Sequence, residues 1–137
     1  MTDHKPVVYI FHGDDEFAIR QALIEIESQM GDSPTAAMNT TTLDGRNLNL
    51  DELIQATHAM PFLAERRLVV LTDPLGSLKS STDRDKFKSI LENTPATTAL
   101  VIQISKPLVD PRNRRKGQTH WLEKWRDTQE GRVYLRA

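Results

Sequence analysis

The chain has 137 residues, 38% of them hydrophobic and 27% charged, the size and balance of one soluble domain able to bury a core. It contains no cysteine, which excludes disulfides, thiol catalysis and sulfur-ligated zinc, and no apolar run reaches the roughly 18–20 residues of a membrane span. The net charge of −1 conceals a polarity, with eleven acids and three bases in residues 1–65 against eight acids and fifteen bases in residues 66–137.

Such a division suits a charged partner if the two halves stay apart, and means nothing if folding mixes them. The start, Met1-Thr2-Asp3-His4-Lys5, lacks an apolar stretch behind a basic end, so no secretory signal is read there. Together with the missing cysteines this leads us to expect a cytoplasmic protein.

In chain order, short apolar runs alternate with longer helical patterns. Val7-Val8-Tyr9-Ile10-Phe11, between Pro6 and Gly13, is a continuous apolar run of the kind found in strands buried on both faces. Asp14, Asp15 and Glu16 follow; either aspartate can cap a helix, and all three acids suit its positive end. Ile19, Leu23, Ile26 and Met30 step by four, three and four, one face of a helix that Gly31 and Pro34 would end. The threonine-rich run from Met38 to Leu43 predicts a second strand, with a turn at Asp44-Gly45. Asn49 is placed to cap a short helix carrying Leu50, Leu53 and Ile54, which Pro61 stops.

Leu68-Val69-Val70-Leu71 reads as a third strand and Asp73 to Ser81 as a loop. Ser81 or Thr82 would cap the next helix, whose Phe87, Ile90 and Leu91 share a face and which Pro95 closes. Ala99 to Ile104 predicts a fourth strand, and Lys106 to Gln118 a polar, basic loop. Trp121 and Trp125, one turn apart, mark a last helix with Leu122, and Arg132-Val133-Tyr134-Leu135 a fifth strand. The order β-α-β-α-β-α-β-α-β predicts an α/β fold, a three-layer sandwich on a five-stranded parallel sheet with right-handed crossovers. The last strand runs almost to the final residue, which reads as a single domain, residues 1–137, of a longer protein.

The first strand–helix turn is where nucleotide-binding folds carry a phosphate loop, GxxxxGK[ST]. This chain has Gly13-Asp14-Asp15-Glu16-Phe17-Ala18-Ile19, without the second glycine, the lysine or the hydroxyl. Carboxylates there satisfy the helix-end amides and repel a triphosphate; one like-charge pair at ~4 Å costs about 4 kcal/mol before screening. The turn is therefore expected not to bind ATP, and no cofactor is implied. A rival reading takes Asp14 and Asp15 as an acidic pair for Mg²⁺ and Asp73 as the acceptor of a receiver-type phosphotransfer domain, with Ser105 after the fourth strand. Its lysine is misplaced, because Lys106-Pro107 follows the fourth strand with no helix and strand between.

His4, His12, His58 and His120 have no paired spacing, so no metal site is expected, and no serine lies in a GxSxG motif. Arg112-Asn113-Arg114-Arg115-Lys116 puts four bases in five residues, able to contact phosphates or simply to form a solvated loop.

Met60-Pro61-Phe62-Leu63 is the most informative segment. Pro61 ends the preceding helix, and two large apolar residues follow in a short connector. Neighbours in an extended stretch point to opposite sides, so both do not easily enter one core. They are either a plug for a partner's pocket, or one packs under the helix and the other against Leu68.

Several stretches carry a family resemblance. They are Tyr9-Ile10-Phe11-His12-Gly13-Asp14-Asp15-Glu16-Phe17, the run from Met60 through Ala64-Glu65-Arg66-Arg67 to Leu71, the run from Pro95 to Ile102, and Asp110-Pro111-Arg112 with the bases after it. Over essentially its whole length the chain resembles the N-terminal domain of the delta subunit of the bacterial DNA polymerase III clamp loader. The resemblance implies an AAA+-like, RecA-type core of the P-loop NTPase class without a functional phosphate loop, its strands ordered 5-1-4-3-2. It implies a non-catalytic part of the DNA polymerase III holoenzyme, acting in DNA replication, with the lid and collar domains absent here. The implied partners are the sliding clamp (the beta subunit), other loader subunits through the collar, and primed DNA; no membrane is involved. Met60, Pro61, Phe62 and Leu63 would bind the clamp, with Arg66, Arg67 and nearby acids as a polar rim. Arg112, Arg114, Arg115 and Lys116 would be the bases available to DNA phosphates.

Overall fold

Five strands, β1 (Val8–His12), β2 (Thr40–Asp44), β3 (Arg67–Thr72), β4 (Thr98–Ile104) and β5 (Val133–Arg136), form one sheet in the computed structural model. The structure describes residues 6–13, 15–30, 33–105, 121–129 and 131–136. The order is β2-β3-β4-β1-β5 and every pairing is parallel, as the family resemblance implies. A receiver domain has the order 2-1-3-4-5, so the rival reading fails on topology.

The central strands read as unbroken apolar runs because both of their faces are covered. Leu68 and Val70 of β3 and Ala99 and Val101 of β4 join one core, beneath α1 (Glu16–Glu27), with Ile19, Ile26 and Met30. Val69 and Leu71, with Leu100 and Ile102, join the other core. That side is covered by α3 (Leu50–His58), α4 (Ser81–Glu92) and α5 (Trp121–Arg126), through Leu53, Phe87, Leu91, Leu122 and Trp125.

Three boundaries differ from expectation. Pro34 does not end a helix; it lies in the first turn of a short additional one, α2 (Ser33–Met38), where its missing N–H costs nothing. Met38 therefore belongs to a helix and the second strand begins at Thr40. The cap of α4 is Ser80, whose hydroxyl accepts the Asp83 N–H at 3.0 Å, rather than Ser81 or Thr82; three successive hydroxyl residues leave that choice open in the sequence. The expected loop from Asp73 also contains a 3-10 turn, Leu75–Ser77. Asp15, Asn49, Phe87 and Trp121 take the places expected of them.

Candidate functional site

The sheet has two ends, and the two candidate regions lie at opposite ones. At the carboxyl ends of β1 and β4, Gly13, Glu16, Ile19, Arg20, Leu23, Gln103 and Ser105 line a cleft of about 400 Å³. Open α/β sheets bind ligands at such ends. Beside this cleft, the chain's own groups engage two acids at the same end of the sheet. Asp15 caps α1 by accepting the Ala18 N–H at 3.0 Å. Asp73, at φ 47°, accepts the Ser105 N–H and hydroxyl, one on each carboxylate oxygen and both at 2.8 Å. That arrangement locks β3 to β4 and leaves Asp73 poorly placed to accept a phosphoryl group. Burial holds the nearby His12 imidazole below its ordinary pKa, opposed by the Glu123 carboxylate. Among the described residues there is no cluster of three groups able to hold a metal ion.

The other region is built by the end of α3. Leu53 and Thr57 point into the core, and the Thr57 carbonyl accepts the Thr98 hydroxyl at 2.7 Å, fixing where the helix stops. Ala59 leaves the helix in an extended conformation, two residues before Pro61. The chain then exposes Met60 and Leu63 at 79% each and Phe62 at 48%. Neither Phe62 nor Leu63 packs into the interior, so the alternative of inward packing is not what the structure shows. Leu63 has φ 54°, a left-handed conformation that breaks the side-to-side alternation of an extended chain and lets both neighbours face outward.

This turn is held from beneath. Asn39, fully buried after α2, receives the Phe62 N–H on Oδ1 at 2.6 Å and donates from Nδ2 to the Phe62 carbonyl at 2.6 Å. The Asn39 carbonyl also accepts the Leu68 N–H at 2.7 Å, so one residue pins both ends of the 62–68 loop. Sequence reading missed Asn39 because its partner lies 23 positions away and no local pattern links them. Met38, its neighbour in the chain, is 60% exposed.

Arg66 does not belong to a polar rim: it is buried, with Nη2 donating to the Pro6 and Thr98 carbonyls at 2.8 and 3.1 Å and its guanidinium over the Tyr9 ring. It closes strand starts that would otherwise leave carbonyls unpaired. Arg67 is half-buried and donates to the Thr41 hydroxyl at 2.7 Å. Asp14, His4 and His120 lie outside the described residues, as do Lys106 and the basic run Arg112, Arg114, Arg115 and Lys116.

The sequence profile of the DNA polymerase III delta subunit matches residues 9–126. The chain belongs to that family. Among solved structures this delta-family chain is similar to the Bacillus subtilis DNA clamp loader delta protein YqeN, with 20% identity, a TM-score of 0.70, and 96% of this chain covering 38% of that one. It is also similar to a DNA polymerase III gamma subunit-related protein of Thermotoga maritima, with 16% identity, a TM-score of 0.57, and 98% of this chain covering 41% of that one. These structural likenesses carry the fold, and the chain spans well under half the length of either protein. No curated protein sequence matches it. Among the described residues no helix is long and apolar enough to cross a membrane.

Proposed function

We propose that this delta-family chain is the first domain of a clamp-loader subunit, that it docks on the sliding clamp through Met60, Pro61, Phe62 and Leu63, and that it works without binding ATP. The observation that carries this reading is the outward placement of Phe62 and Leu63 together on a turn held by buried groups. Large apolar side chains that a fold exposes side by side, rather than burying, suit a partner's pocket. Burial would contribute at most about 1.5–3 kcal/mol of transfer free energy per side chain, and less for Phe62, which is already half covered. Family membership and the likeness to a clamp loader delta protein support the choice of partner.

The action is mechanical. Docking favours an open clamp only by as much as the chain binds that form more tightly than the closed one. ATP hydrolysis would belong to other subunits, consistent with the acidic turn after β1 and the Asp73–Ser105 lock. Titration of the full-length chain against a purified sliding clamp tests the proposal. Saturable binding is expected, and its absence would remove the docking reading.

A further inference from the structure

We propose that Asn39 is a positioning residue for the Phe62–Leu63 turn, presetting its backbone before any partner arrives. The proposal rests on the docking reading above and adds a residue that lies outside the docking segment.

The argument starts from conformational cost. An exposed connector between a helix and a strand is ordinarily free to sample many backbone states, and ordering it on binding opposes association. Here the loop is ordered already. The Asn39 amide is fully buried and closes on Phe62 from both sides, matching that residue's donor with its acceptor and that residue's acceptor with its donor. The same Nδ2 also donates to the Thr35 carbonyl at 3.1 Å, which orients the amide from within α2. The next residue, Leu63, sits at φ 54°, a conformation a leucine leaves readily unless its surroundings hold it. The pin at Leu68 closes the far end. Asn39 therefore presents Phe62 and Leu63 without touching what they touch. Aspartate would keep the shape and lose the donor, and alanine would lose both bonds, so neither substitutes.

The test uses the full-length chain and two readouts. In the unaltered chain without clamp, the Phe62 amide, although on an exposed residue, should exchange at least about ten-fold more slowly than a free peptide. Exchange at the free-peptide rate would overturn the proposal without any variant being made. In the titration, Asn39→Ala should bind the clamp about ten-fold more weakly, the effect of losing two hydrogen bonds that preorganise a loop. Asn39→Asp keeps the volume and the acceptor but sets a buried carboxylate against the Phe62 and Thr35 carbonyls, and should weaken binding in the same direction; if the variants fail to fold, the exchange measurement on the unaltered chain still decides.

Either substitution made on top of Phe62→Ala and Leu63→Ala should add no further loss, because Asn39 acts only through those side chains; a general lesion of the fold would add its own. Full affinity in a folded Asn39 variant would overturn the proposal and leave the docking reading standing. Failure of the unaltered chain to bind would instead remove both.

Discussion

Leu63 occupies backbone space in which glycine is at home, and its side chain is mostly in water. A residue kept for stability would have neither property. Replacing it by glycine relieves the backbone while loosening the unfolded chain, two effects of similar size and opposite sign. Leu63→Gly is thus expected to leave stability within about 1 kcal/mol of the unaltered chain in denaturant unfolding, yet, on the docking proposal, to weaken clamp binding as Leu63→Ala should. A leucine supporting the core would lose about 2–5 kcal/mol on truncation. The adjacency of Phe62 and Leu63 was legible in the sequence because Pro61 ends the helix just before them. Their shared outward direction was not, since it depends on one left-handed residue. Arg66 shows the reverse error: an arginine beside an apolar motif reads as rim, but the carbonyls of Pro6 and Thr98 draw it inside.

At the scale of elements, the strands were legible because burial on both faces writes itself as an apolar run, as in Leu68 to Leu71 and Ala99 to Ile102. Helix α2 was not, because six residues opening on Ser33-Pro34 carry no hydrophobic period and a proline at that place reads equally as a stop. The turn after β2 was legible as a turn, but not for its closeness to the loop after β3. Gly45 is buried there, and a Cβ would stand 2.6 Å from the Pro74 Cα and also crowd the Thr72 carbonyl oxygen. Backbone meets backbone, with no side chain to move aside. Gly45→Ala is expected to destabilise the fold by about 1–3 kcal/mol in denaturant unfolding; an unchanged midpoint would mean that the two loops move apart freely.

In the whole molecule, the order β2-β3-β4-β1-β5 sets strands from the acidic half among strands from the basic half, so the charge polarity of the sequence is partly mixed by folding. The same order separates the cleft at the carboxyl ends of β1 and β4 from the Phe62–Leu63 turn, which precedes β3 at the other end of the sheet. The carboxyl end of the sheet, with Asp15 and Asp73 beside the cleft engaged by the chain itself, is expected to give no heat of ATP binding in calorimetry; saturable micromolar binding would contradict the reading of the turn at Gly13.

The most direct test of the docking claim compares the full-length chain with its Phe62→Ala, Leu63→Ala double variant in titrations against purified clamp. The variant should unfold as the unaltered chain does and bind at least ~2 kcal/mol more weakly, about thirty-fold. Equal affinity of the two would contradict the account.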